Sequence, residues 1–376
     1  MIAVAILFWL CAFSIVYTHA GYPLALRALV AMRRRPTLRP GAWEEPPRVS
    51  LIVAAHEEEE VIAAKVANSL ALDWPRQRLE VIVASDGSSD ATVERAAAAG
   101  ADLVLDLPRG GKIVAQNAAA ARASGEILAF SDANSTWAPD ALRHLVETFA
   151  DPAVGYACGQ VNFTGAGGGN LEGAYWRYEM RVRERESALA GVTAGNGAIY
   201  AVRADAYIAL PPAASHDLSF PFELAKRGSR SLYVPWARAE EKMVPTLEGE
   251  FARKRRMMVG LWDILVGEGM LAPGGYPPLY AFELASHRLL RYMTPLLHLL
   301  ALAANLALLG DGWVYAVTLT LQATVIAAAI LGRWLPLAPL RIARYYVMTT
   351  ASIAAGLWDR ARNGPPGAWE KADGTR

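Results

Sequence analysis

Cysteine is nearly absent. Cys11 and Cys158 are the only two in 376 residues, too few for a disulfide framework or a Cys-based zinc site. Charge is also scarce, at 19% of residues, which is low for a soluble protein of this length. Neither sign is in excess: 37 Lys and Arg face 36 Asp and Glu, a formal charge of +1, and a nucleic-acid partner would want a clear basic surplus. Two glycine-rich nucleotide signatures are missing as well. His56-Glu57-Glu58 stands after the first strand pattern where a dinucleotide fold needs Gly-x-Gly-x-x-Gly, and Lys112 is followed by Ile113 where a P-loop needs Ser or Thr. Apolar residues, by contrast, are plentiful, at 53% of the chain. That excludes intrinsic disorder and points to a soluble domain joined to membrane spans.

Residues 2–26 hold no Asp, Glu, Lys or Arg, and about 20 apolar residues suffice to cross a bilayer core. No basic residue precedes this run, as a cleaved signal peptide would require. Arg27, Arg33, Arg34, Arg35 and Arg39 follow it, and the positive-inside rule puts them in the cytoplasm. Residues 1–31 therefore read as a membrane anchor. Residues 293–309 and 313–331 are uncharged runs of 17 and 19 residues separated by Gly310-Asp311-Gly312. They read as a helical hairpin, placed over 291–332, entered past Arg288 and Arg291. A third run, 345–358, has only 14 residues and reads as interfacial or re-entrant. A tail carrying Arg360, Arg362, Lys371 and Arg376 is then cytosolic. One span before the soluble domain and two after it satisfy that orientation.

Between the membrane segments the pattern alternates. Residues 49–54, 79–84, 102–107 and 127–131 are short, buried-type β runs, and helical patterns cover 58–70, 90–99 and 112–123. This order predicts an α/β domain with a mainly parallel sheet, spanning 46–250. Ligands in such sheets bind beyond the carboxyl ends of the strands. Glu58, Asp86, Asp132 and Asn134 stand there. Asp217 precedes a helical stretch at 222–227, and residues 251–290 read as amphipathic interface helices. Residues 333–376 complete the chain as the short helix and tail. Trp176 and Tyr178 read as core or interface aromatics.

The succession AAHEEE (54–59), LALDWP (70–75), SDGSSD (85–90), GGK (110–112) with Asn117, and SDAN (131–134) resembles the family 2 inverting glycosyltransferases. More narrowly it is similar to their membrane-embedded branch, the relatives of cellulose and hyaluronan synthases. The resemblance implies a GT-A-type nucleotide-sugar-binding domain. It puts Ala55, His56 and Glu58 against the uracil and ribose of the donor, with His56 where the family usually has Tyr. It puts Asp86 on the base, and Lys112 and Arg256 on the diphosphate. Asp132 and Asn134 fall on the family's Asp-x-Asp, so they would hold Mg²⁺ or Mn²⁺, with a neutral amide in place of the second carboxylate. Asp217, in Ser215-His216-Asp217, matches the catalytic base. His216 replaces the usual acid beside it and takes a non-catalytic role. Arg253, Arg256 and Met257 match Gln, Arg and Trp of the family's Gln-x-x-Arg-Trp. Met257 removes the aromatic platform on the acceptor side, where Asn196 also falls, and short products are expected.

The same resemblance implies a multi-pass plasma-membrane enzyme with a cytosolic catalytic domain. It would move a sugar, expected as a UDP-sugar, to a polysaccharide or a lipid-linked glycan with inversion. Two other readings stay open: single-sugar transfer to a polyprenyl phosphate, and a degenerate donor-binding subunit regulating partner synthase subunits.

Overall fold

Seven consecutive apolar or small residues make β1, Val49–Ala55, and every one of them is buried, as a strand covered on both faces requires. A computed structural model describes residues 1–33, 43, 45–164, 170–212, 214–242, 247–272 and 274–364. Arg34, Arg35, Arg39, Lys371 and Arg376 lie outside the described residues. The further strands are β2 Leu79–Asp86, β3 Leu103–Leu107, β4 Ile127–Asp132, β5 Thr136–Trp137, β6 Val154–Thr164, β7 Ile199–Arg203 and β8 Arg230–Lys242. They form one sheet in the order β3-β2-β1-β4-β7-β6-β8-β5. Four of its seven strand pairs are parallel and three are antiparallel. The fold is thus α/β with a mixed sheet, parallel where the sequence reads as strand–helix alternation.

Side chains alternate across a strand, and the helices sort accordingly. Ile52, Ile82 and Phe130 pack on Ile113, Ala115 and Ala119 of helix Lys112–Ala120. Val53 and Val83 face Ile62, Val66 and Ala96 of helices Ile62–Leu70 and Thr92–Ala98 on the other side. Register levels the strand ends, because Ala54 pairs with Ala84 on one side and with Asp132 on the other. The carboxyl ends of β1, β2 and β4 therefore open at one height.

Two expected helices differ in extent. The helix after Ser215 runs His216–Lys226, so Asp217 lies in its first turn and not ahead of it. Pro221 inside this helix has no N–H to offer the carbonyl four residues back. That carbonyl, of Asp217, accepts the Gly195 amide instead at 2.6 Å. The helix survives a proline that reads in sequence as its boundary. The C-terminal helix is Ala338–Asn363, 26 residues, longer than its apolar run. It extends beyond that run at both ends, over 338–344 and 359–363, and bonds to helix Leu247–Trp262 through Arg255 with Asp359 at 2.5 Å and Lys254 with the Tyr345 hydroxyl at 2.9 Å.

Among the described residues three helices are long and apolar enough to cross a membrane: Ile2–Arg33, Pro278–Ala307 and Trp313–Leu331. The second begins at Pro278, well ahead of the hairpin start placed at 291. Phe8 and Cys11 of the first pack with Ala301, Ala304 and Leu308 of the second and Tyr315 of the third. Both cysteines are free and buried.

The α/β domain is tied to these helices through helix Asn170–Leu189. Glu186, fully buried, accepts from the Tyr22 hydroxyl at 2.7 Å and the Thr193 amide at 3.3 Å, and lies 2.6 Å from His287 Nδ1. Glu179 takes two bonds from Arg291, at 2.5 and 2.8 Å. Burial alone would raise the Glu179 carboxyl, but Arg291 and His287 outweigh it and hold it well below the usual range.

Removing one partner of a buried ion pair leaves the others uncompensated, at a cost of about 3–5 kcal/mol. Glu186→Ala should therefore lower the unfolding temperature of the detergent-purified protein markedly. Arg143→Ala breaks only surface pairs, with Asp73 (side chains 41% and 65% exposed) and with Glu147 (24% exposed), and should cost less than about 1 kcal/mol. Equal unfolding temperatures for Glu186→Ala and the parent would show the buried network to be dispensable.

Candidate functional site

β4 ends at Asp132, and helix Lys112–Ala120 starts with its lysine beside that carboxylate. The Lys112 ammonium donates to Asp132 Oδ1. Burial opposes the Lys112 charge, but Asp132, with Asp217 and Glu241 behind it, lifts its pKa above the ordinary lysine value. The glycines ahead of it are set by Asp86. The Asp86 carboxylate, almost fully buried, accepts from the Gly110 amide at 2.7 Å, the Gly111 amide at 2.8 Å and the Arg109 guanidinium at 2.8 Å. Gly111 has φ +96°, a conformation L side chains avoid. Gly87 has φ +62°, and a Cβ there would sit 2.8 Å from the Arg109 amide nitrogen. His56 Nδ1 lies 2.8 Å from the Asp86 carbonyl oxygen, which joins the ends of β1 and β2. Glu57 beside it has φ +54° and is the non-glycine residue held at positive φ among the described residues.

A cavity of about 2330 Å³ opens over these strand ends and is lined by Glu58, Lys112, Asp132, Asn134, Asn196, His216, Asp217, Arg256 and Met257. The structure thus gathers most of the residues singled out in the sequence. Ala55, His56 and Asp86 do not line it. Asp86, expected on the base, has its carboxylate engaged by the loop that carries Lys112. Asn196 is also engaged: its oxygen accepts from Arg183 at 2.7 Å and its amide donates to the Gly159 carbonyl. It shapes the cavity wall. Asp217 accepts from the Ser215 hydroxyl. His216 is bonded through Nδ1 to the Tyr200 hydroxyl. Burial and the Lys112 charge push its pKa down to about 3, so the ring is neutral. Met257 is half exposed on helix Leu247–Trp262. Trp176 donates to the Val161 carbonyl at 3.0 Å and packs edge-on to Phe163; it is half-buried and, with Tyr178, also lines the cavity.

Two charged residues escaped the sequence reading. Lys65 is 3% exposed and donates to the Ser135 carbonyl at 2.7 Å; burial pushes its pKa down to about 7 against the pull of Asp132 and Glu241. Its place on the apolar stripe Ile62–Val66–Ser69 was the available signal. Glu241, near the end of β8, lines the cavity. Its Oε1 is buried with no hydrogen-bond partner. Burial and the Asp132 charge push its pKa up to about 7, while Lys112, Arg253 and Lys65 pull the other way.

Among the described residues no cluster of three or more His, Cys, Asp and Glu could cage a metal ion. The donor set does fit a hard cation held by one or two carboxylates and completed by substrate oxygens, the usual Mg²⁺ pattern. The orphaned Glu241 oxygen is the observation in favour of that fit.

The fold is GT-A-like. A mannosyltransferase, PcManGT, from Pyrobaculum calidifontis, solved in complex with GDP-Man and Mn²⁺, matches 94% of this chain and 99% of its own, with a TM-score of 0.72 at 24% identity. Residues 50–207 match the family model described as Glycosyl transferase family 2. Among curated proteins, the beta-monoglucosyldiacylglycerol synthase of Synechocystis sp. is 31% identical over 176 residues, 41% of this chain and 35% of its own length. The synthase of that name from Trichormus variabilis is 39% identical over 116 residues, 29% of this chain and 25% of its own length. The matches thus span about a third or less of the curated relatives' own length.

Asp86 makes a structural demand that can be tested without any substrate. Asp86→Ala leaves two loop amides and Arg109 without their acceptor, so trypsin should cut after Arg109 several-fold faster than in the parent. Unchanged cleavage would mean that the loop is held by something other than Asp86.

Proposed function

We propose that the chain is an inverting glycosyltransferase that moves a sugar from a nucleotide-sugar to a lipid-borne acceptor at the membrane surface. The observation that carries this reading is the continuity of the cavity. One end holds Lys112, Asp132 and Asp217. The other is lined by Ile15 and Val16 of the first apolar helix, Thr294 of the second, and Ile342 and Ile353 of the C-terminal helix. An acceptor that reaches Asp217 from that side has an apolar body. The glycolipid-synthase names of the curated relatives support this acceptor class over the cellulose-type polymer that the narrower resemblance implies. With three apolar helices, the reading includes a multi-pass membrane protein whose α/β domain faces the cytosol.

In the reaction, the acceptor hydroxyl attacks the anomeric carbon from the face opposite the diphosphate. Asp217 takes the hydroxyl proton. The bond from the anomeric carbon to the diphosphate oxygen breaks, and its electron pair leaves with that oxygen. Lys112 and Arg256, both lining the cavity, stabilise the departing charge in this reading. Asp132 and Asn134 would hold Mg²⁺ or Mn²⁺, which when bound neutralises the diphosphate; the Mn²⁺ in the fold neighbour supports this choice. Met257 stands where the family pattern has Trp, which suits single or short additions, while Trp176, Tyr178 and Tyr292 also line the cavity. The family resemblance implies uracil as the nucleobase, whereas the fold neighbour is solved with GDP-Man; calorimetry with UDP and with GDP decides between them.

Asp217→Asn keeps the shape of the helix start and removes the base. Its turnover should fall by about 10² to 10⁴ while nucleoside diphosphate affinity stays near the parent's. Lys112→Ala should weaken both. An acceptor phosphate is already largely deprotonated at pH 7, so full turnover by Asp217→Asn would replace the hydroxyl acceptor by a polyprenyl phosphate. A parent that binds nucleotide and never turns over would make the chain a regulatory subunit.

A further inference from the structure

We propose that Glu241 supplies the second anionic oxygen of the divalent-cation site, in place of the carboxylate that position 134 lacks. The inference rests on the glycosyltransferase reading and adds a ligand from a different strand to it. β5 and β8 are antiparallel with Thr136 opposite Glu240 and Trp137 opposite Ala239. Carried one residue further, that register sets Glu241 opposite Ser135, the neighbour of Asn134. Glu241 and Asp132 line the same cavity, from β8 and β4, strands that are not neighbours in the sheet.

The hydrogen bonds leave the Glu241 oxygen unserved. Lys112, the nearest cation to Asp132, donates to Asp132 Oδ1. Lys65 spends a bond on the Ser135 carbonyl. Glu241 Oε1 is buried and has no partner, a state that costs free energy unless a ligand or a proton serves it. Asp132 is the largest charge raising the Glu241 carboxyl. Two carboxylates at such range repel, and a hard dication between them turns that repulsion into coordination. Mg²⁺ and Mn²⁺ both take carboxylate oxygens, and an amide at Asn134 can add a neutral third. The chain therefore places its acids on two strands, Asp132 on β4 and Glu241 on β8, where an Asp-x-Asp has both within three residues.

The test is a Mn²⁺ titration of the full chain in detergent, with UDP and separately with GDP, reading free Mn²⁺ by electron paramagnetic resonance. Glu241→Gln should weaken Mn²⁺ binding by about tenfold or more, the scale seen when metal-site partners are lost. Adding Asn134→Asp to Glu241→Gln should recover most of the loss, because it returns an anionic oxygen to the site. A merely structural acid would give no such recovery. Glu241→Asp keeps the charge and shortens the reach; weaker Mn²⁺ binding at the parental unfolding temperature supports the proposal should the Gln variant not fold. Parental Mn²⁺ affinity in Glu241→Gln or in Glu241→Asp overturns it, as does the absence of recovery in the double variant. A parent that binds neither UDP nor GDP, with or without Mn²⁺, removes the glycosyltransferase reading and this proposal together. A parent that binds both metal and nucleotide beside an unaffected Glu241→Gln removes this proposal alone.

Discussion

Asp132 and Glu241 bring two carboxylates into a partly buried corner of one cavity, where an ionised acid without compensation is costly. Their surroundings answer that cost from three directions. Lys112 reaches in from the start of its helix, Lys65 from beneath, and Arg253 from helix Leu247–Trp262. Each cation is fixed by a different part of the fold. Lys112 depends on the loop that Asp86 holds by two amides and a guanidinium. Lys65 depends on the packing of Ile62 and Val66 against the sheet. The same balance sets cations and acids side by side in one cavity.

The domain does not meet the membrane helices through apolar contact alone. Glu179 and Glu186 are buried acids on helix Asn170–Leu189, and their partners Tyr22, His287 and Arg291 come from the first and second apolar helices. Pairs of this kind add little net stability against a well-packed apolar contact. Their geometry is directional, so they fix how the helices are turned relative to the sheet. That orientation is what lets one cavity have strand ends on one side and apolar helix faces on the other.

The first half of the sheet was legible because β1, β2 and β4 are buried on both faces and read as continuous apolar runs between glycine, proline and aspartate stops. β6 and β8 are longer, at 11 and 13 residues, but they mix buried and exposed positions. β8 contains Pro235, and the β6–β8 register shifts at Gly159/Gln160. No simple period survives that. The residues of the site were legible as residue types at strand ends, less so as roles. Asp86 reads as a ligand-facing acid because sequence does not show that its carboxylate is already bonded. Glu241 reads as part of a charged strand end, Glu240-Glu241-Lys242, because its relation to Asp132 exists only through the pairing of β5 with β8. Lys65 stood out of pattern, as a charge on an apolar stripe, and that kind of mismatch is where a sequence most often marks function.

Helix Leu247–Trp262 connects the cavity to the C-terminal helix. One stretch of it contributes Arg253, Arg256 and Met257 to the cavity. The neighbouring positions Lys254 and Arg255 bond to the C-terminal helix, and beyond its end Arg360 of that helix pairs with Asp263 at 2.6 Å. Gly356 permits the close crossing, since a Cβ there would overlap the Met258 Cβ. The two helices are thus joined by two ion pairs and by a close crossing. Arg256 and Met257 are held at the cavity by that helix pair as well as by the sheet.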